Sequence, residues 1–224
     1  MAASSIPSLS PVPCFEPRTE ELKQRVLRMG SMVEEALNLA RGVLAGPDRD
    51  AAPRIQGGDA RIDALFVEIE EGCLEQLTVR RLRPRRRRRE VVRLVLFLQI
   101  VRELERIGDY CKRLARTSED LLPFQPLRAT PILLNMLDRS RSLLTLSLEA
   151  LARDDNDAWQ RLESMDDVID QDYATLYDAI ARGSFGCDLT PEAIMLLVLV
   201  MRALERIGDH CLNISRRVWR FSCR

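Results

Sequence analysis

The pentapeptide Glu-Arg-Ile-Gly-Asp stands twice in this chain, at Glu105–Asp109 and again at Glu205–Asp209. The flanks repeat with it: Arg102, Leu104 and Cys111 recur as Arg202, Leu204 and Cys211. Each copy closes an apolar stretch, Leu94–Val101 in the first and Ile194–Met201 in the second. A duplication with matched flanks predicts two copies of one structural unit. It also puts a pair of carboxylates on a face that the surrounding residues mark as buried, and buried carboxylates need partners.

The unit is helical. Aromatic residues make up only 5% of the chain while Leu dominates the apolar set, a bias that favours helix over sheet. Leu22, Val26, Met29, Val33, Ala36, Leu37 and Ala40 recur at spacings of three and four from Thr19 onward, until Gly42 and Gly46-Pro47 end the pattern. A second helix is predicted from near Asp50 toward Val79, with Pro53 in its first turn and Gly57-Gly58 weakening or interrupting it. The Arg-rich segment broken by Pro84 reads as a connector, and a third helix follows from about Glu90 to Glu119. After the prolines at 123, 126 and 131 the plan repeats, with helices from about Pro131 to Ala152, Asp155 to Arg182 and Pro191 to Phe221. The expected organisation is a disordered tail over 1–18, one three-helix unit over 19–122 and a second over 128–222. The fold class is all-α: two tandem three-helix bundles related by an internal pseudo-two-fold, side by side or end to end.

Residues four apart on a helix share a face. Ile194, Val198, Met201, Glu205, Asp209 and Leu212 form one such stripe, and Leu94, Leu98, Val101, Glu105 and Asp109 form its counterpart. The middle helix of each unit offers a second acidic pair at the same spacing, Asp59/Asp63 in the first and Asp166/Asp170 in the second. Packing middle helix on last helix would bring four carboxylates together in each unit. Such a set is partly protonated or holds cations among its members. All-oxygen ligation suits hard cations such as magnesium, manganese, calcium or ferric iron. His210 is the one histidine, which excludes a His-rich zinc or copper centre, and no Glu-x-x-His stands on any helix. Salt bridges offer a metal-free alternative: Arg102 and Arg202 lie three residues before Glu105 and Glu205, and Arg113 lies four past Asp109. The mid-helix glycines Gly108 and Gly208 fit close approach by either an ion or a neighbouring helix.

Lys+Arg and Asp+Glu balance at 34 each, so net charge excludes no partner, but eight Arg crowd between Arg80 and Arg89. That run reads first as a solvated loop, next as a docking site for an anionic membrane surface or acidic partner, and last as a nucleic-acid contact, since no aromatic residues interleave with it. The six Cys show no CxxC spacing, and the chain reads as belonging to a reducing compartment. Met1–Pro13 lacks the basic and apolar regions of a signal peptide, and the apolar runs fall short of the ~20 residues a membrane span needs, so a soluble cytoplasmic protein is expected. Cys111, Cys211, Trp159, Trp219, Tyr173 and Tyr177 read as packing residues. No nucleophile–base pair or phosphate-binding loop stands out, so no catalytic residue is assigned.

The segment Arg-Ala-Leu-Glu-Arg-Ile-Gly-Asp-His-Cys-Leu-Asn-Ile at 202–214 resembles the signature of the PhoU family, phosphate-uptake regulators of bacteria and archaea. The resemblance extends over nearly the whole chain after residue 19 and includes the duplicated unit and the acidic pair before each signature. It implies paired three-helix bundles, a homodimer, and metal ions, among them iron, manganese or magnesium, held by Glu105, Asp109, Glu205 and Asp209 with Asp59, Asp63, Asp166 and Asp170. Asn213 matches the Asn that follows the family signature. The implied role is non-enzymatic: restraint of the phosphate ABC transporter, through its ATPase, and of the phosphate sensor histidine kinase when phosphate is ample. Three features depart from the pattern: Lys112-Arg113 replaces an Asn-containing segment in the first unit, the Arg80–Arg89 run is unusually charged, and the tail over 1–18 is long. Arg113 stands where it can displace a metal from Asp109, which makes the second site the better match.

Overall fold

The computed structural model describes residues 16–48, 50–78, 84–153, 155, 158–183 and 189–222. These residues form six helices: α1 Glu16–Ala45, α2 Ala51–Thr78, α3 Pro84–Leu121, α4 Thr130–Arg153, α5 Ala158–Ala181 and α6 Pro191–Ser222. A 3-10 turn, Leu122–Phe124, follows α3, and Gln125 Oε1 then accepts hydrogen bonds from the Leu127 amide at 3.0 Å and the Thr130 hydroxyl at 3.1 Å, leading the chain into α4. At the start of α6 the Thr190 hydroxyl oxygen accepts from the Ala193 amide at 3.2 Å, with Pro191 following as the first helical residue.

Within each half the three helices pack mutually, α1 with α2 and α3, and α4 with α5 and α6. The halves lie side by side, joined through α3 on α6 and α1 on α4, and one hydrophobic core runs through both. The ridge of α3 at the centre is Leu94, Phe97, Ile100, Leu104, Ile107, Cys111 and Leu114; that of α6 is Leu197, Val200, Leu204, Ile207, Cys211, Ile214 and Val218. All are nearly sealed from solvent, and apolar burial of this kind contributes ~25 cal/mol per Å² removed from water. Matched positions meet at the centre, where the rings of Tyr110 and His210 lie 5.7 Å apart. At the second crossing, Gly30 of α1 makes room for Leu148 of α4; a Cβ at Gly30 would lie 2.5 Å from Leu148 Cδ1. Beside it Arg41 grips Asp138 with two hydrogen bonds, at 2.8 and 3.0 Å.

Five expectations change. The arginine segment is not a connector where it is described: α3 opens at Pro84, so the arginines from 85 to 89 form its first turns. Proline is well suited to that position because its missing N–H has no partner to lose there. Arg80, Arg81 and Arg83 lie outside the described residues, as does the expected tail over 1–15, while Glu16–Arg18 already belong to α1. Gly57-Gly58 does not interrupt α2, whose ordering comes from Ile55, Ile62, Leu65 and Ile69 buried on either side. The acidic stripes are not the buried ridges themselves: Glu105, Asp109, Glu205 and Asp209 flank those ridges half-buried. Trp159 packs on Trp219 at 5.2 Å and Tyr173 on Tyr177 at 6.3 Å, yet Tyr177 is 53% exposed and so adds little to the core.

Candidate metal centres

Each half brings its four acids together where the middle helix meets the last. In the second half α5 carries Asp166 inward, 7% exposed, while Asp170 one turn on is exposed. Glu205 and Asp209 face them from α6. Burial, then the charges of Asp170 and Asp209, push the Asp166 carboxyl up to about 7. Burial and Asp209 likewise raise Asp170 and Glu205. Arg206 is the nearest cation, 3.0 Å from Asp209 and with its Nε 3.4 Å from Glu205 Oε2, a buried oxygen that accepts no hydrogen bond. Arg202 hydrogen-bonds Tyr173 and favours the Glu205 charge from there.

The first half has the same four acids: Asp59 and Asp63 on α2, Glu105 and Asp109 on α3. Asp59 is the buried member and Asp63 the exposed one. Burial raises Glu105, with Asp109, Asp63 and Asp59 adding to the rise, and burial followed by Asp59 raises Asp63. Here a cation already stands among the acids. The Lys112 ammonium hydrogen-bonds Asp59 across the helix pair and lies 3.3 Å from Asp109. Arg113, expected at Asp109, instead lies over the Tyr110 ring at 5.3 Å. The cation that meets Glu105 is Arg106, at 3.6 Å. Sequence spacing put Arg202 beside Glu205 but placed Arg113 at Asp109 and missed Lys112 at Asp59, because i,i+3 and i,i+4 neighbours are separated only by the crossing geometry of a second helix.

The close approach anticipated at the glycines is tighter in the second half. A Cβ on Gly208 would lie 3.0 Å from Asp166 Oδ1 and 3.2 Å from Ile169, whereas one on Gly108 would lie 3.4 Å from Ile62 and 4.0 Å from Asp59 Oδ1. Removing a helical glycine gains up to ~1 kcal/mol, but overpacking costs roughly 1–3 kcal/mol. Gly108→Ala should therefore leave stability unchanged or slightly raised, and Gly208→Ala should lower it by about 1–2 kcal/mol. Paired thermal melts test this; equal melting of the two variants would contradict the difference in approach.

As the side chains stand, no group of three or more His, Cys, Asp or Glu among the described residues is arranged to hold an ion. The donor set of the second centre nevertheless fits one: four carboxylates, mutual repulsion that a cation relieves, and a buried Glu205 oxygen that accepts no hydrogen bond. The first centre does not fit without displacement of Lys112.

One functional cluster was not anticipated. Glu103, 6% exposed on α3, takes a hydrogen bond from His210 Nδ1 at 2.7 Å and others from the Arg217 guanidinium, both on α6. Arg217 also reaches Gln99 at 2.7 Å. Burial alone would raise the Glu103 carboxyl, but the bonds from His210 and Arg217 prevail and hold it below the ordinary value. The available signal was a lone acid at a buried register of α3, between Ile100 and Ile107, together with the single histidine.

A duplicated three-helix unit with a four-carboxylate centre in each copy defines the class of protein. A family model described as the PhoU domain matches it twice, over residues 26–118 and 133–218, and the chain belongs to that family. It is 34% identical over 206 residues to the phosphate-specific transport system accessory protein PhoU homolog of Synechocystis sp., covering 91% of this chain and 89% of that protein. It is 29% identical over 209 residues to the phosphate-specific transport system accessory protein PhoU of Escherichia coli, covering 92% and 83%. Among solved structures, PhoU from Pseudomonas aeruginosa superposes with a TM-score of 0.81 at 24% identity, covering 93% of this chain and 98% of that one. PhoU from Streptococcus pneumoniae gives a TM-score of 0.82 at 24% identity, covering 93% and 96%. The relatives are described as accessory proteins of a phosphate-specific transport system. Among the described residues no helix is long and apolar enough to cross a membrane.

Proposed function

We propose that this protein is a negative regulator of phosphate uptake and phosphate signalling. It acts from the cytoplasm, as a homodimer, by contact with the ATPase of the phosphate ABC transporter and with the phosphate sensor histidine kinase. Metal ions held by carboxylates complete its structure, and Asp166, Asp170, Glu205 and Asp209 would hold them in the second half. A bound ion there supplies charge compensation and rigid cross-linking of α5 to α6; it is not asked to do chemistry. The reading is carried by the double match to the PhoU domain at full length of the fold, together with relatives whose names tie them to phosphate-specific transport. Arg88 and Arg89 are exposed in the opening turns of α3, where the helix dipole opposes positive charge; an arginine run there suits an acidic partner or an anionic membrane surface.

The test is genetic and direct. Cells lacking this chain should take up phosphate and express phosphate-starvation genes even when phosphate is plentiful, and restoring the chain should repress both. Unchanged uptake and unchanged expression in the deleted strain would refute the role.

A further inference from the structure

The two acidic centres carry the same four carboxylates but different residues at one matched position. Lys112 stands in the first half three residues after Asp109; Leu212 stands at the same distance after Asp209, 3% exposed. Lys112 keeps part of its side chain in solvent, but its ammonium is engaged. Its ammonium bridges two helices, hydrogen-bonding the buried Asp59 of α2 while lying 3.3 Å from Asp109 on its own helix. A neighbouring positive charge favours the charged form of a carboxylate, and this one lies where a metal ion shared by Asp59 and Asp109 would have to lie. At the matched position of the second half leucine offers neither charge nor donor, and the cation there, Arg206, reaches Glu205 and Asp209 of its own helix.

Building on the metal reading above, we infer that the first centre is closed by its own lysine: Lys112 is the resident cation there, and the chain takes up metal at the second centre alone. The lysine and a divalent ion exclude each other sterically and electrostatically. The Lys112 ammonium is held from both helices, by Asp59 of α2 and Asp109 of α3, so an ion entering there would have to displace it from two acids at once. The consequence is functional. Chelation loosens only the α5–α6 half, while α2–α3 keeps its cross-link whatever the metal supply.

The test uses the full chain, stripped of metal and then equilibrated with manganese(II) in phosphate-free buffer, with bound manganese counted by atomic emission. Wild type should bind at one centre. Lys112→Leu should double the manganese retained, and Lys112→Gln, which keeps a polar side chain of similar reach, should do the same; circular dichroism verifies that both fold. Asp166→Asn/Asp209→Asn should abolish retention in wild type, and adding Lys112→Leu to that background should restore the wild-type amount. Half the wild-type manganese surviving in Asp166→Asn/Asp209→Asn with Lys112 intact would overturn the inference and leave the metal reading standing. No gain in either Lys112 variant would also overturn it. Wild type binding none while Lys112→Leu binds would uphold the lysine closure and remove the second centre instead.

Discussion

Replacing Glu103 with alanine is expected to cost about 2–4 kcal/mol, a lowering of the melting temperature on the order of 10 °C for a chain of this size. Breaking a buried ion pair by removing one partner costs most when the other is left buried and charged. Arg217 keeps about a third of its side chain in solvent and can relax outward, so the figure falls below the full penalty. Glu103→Gln, which retains an acceptor for His210 and Arg217, should lose less. The contribution depends on pH in a definite direction. The folded Glu103 carboxyl titrates below its unfolded value, so its stabilisation is complete above the unfolded value and is lost as pH falls through the folded one. Wild type and Glu103→Ala should therefore converge in acid and diverge at neutrality. A Glu103→Ala protein that melts like wild type at pH 7 would show that α3 and α6 are held by their apolar ridges alone.

Asp166 should behave in the opposite sense. In metal-free protein the folded carboxyl titrates near 7, raised by burial and by Asp170 and Asp209. The native state then binds this proton more tightly than the unfolded chain. Stability from this group is complete below the unfolded carboxylate value, near 4, and is lost as pH rises toward 7 and beyond. A rise of three units corresponds to about 4 kcal/mol at most. Asp166→Asn should therefore stabilise the metal-free protein by roughly 2–4 kcal/mol at pH 8 and change little at pH 4. Manganese at pH 8 should raise the melting temperature of wild type and leave Asp166→Asn nearly unmoved. A destabilised Asp166→Asn at pH 8, with chelator present, would mean that the carboxylate is welcome in its pocket and needs no cation.

These expectations rest on a mixture of features, some legible in the sequence and some not. The six helices follow from apolar spacing, since Val26, Met29, Val33 and Leu37 can share a face only on a helix. The acidic pairs were legible for the same reason: four-residue spacing on two helices that must pack together leaves Asp59 and Glu105, or Asp166 and Asp209, facing one gap. What spacing could not supply was the third dimension of that gap. Lys112 and Arg113 are adjacent in the chain, yet one points at Asp59 across the helix pair and the other covers Tyr110. The helical start at Pro84 was hidden because a dense charge run with a proline in it looks like a loop, although proline opens helices as readily as it breaks them. Glu103 was hidden because its two partners belong to the other half of the chain, more than a hundred positions away.

Joining the two halves in one polypeptide has a consequence for how each is allowed to differ. Two identical subunits meeting across a symmetry axis repeat every substitution on both sides. A glutamate that improved one flank of the contact would appear on the other flank together with its basic partner, so the two flanks could not come to differ. Covalent fusion removes that restriction. Glu103 answers to Ala203, and Lys112 to Leu212, so one flank carries an ionic clasp and one acid nest carries a lysine where the matched positions carry neither. A duplicated scaffold thus gains what a symmetric pair is denied: a left hand and a right hand with separate trades.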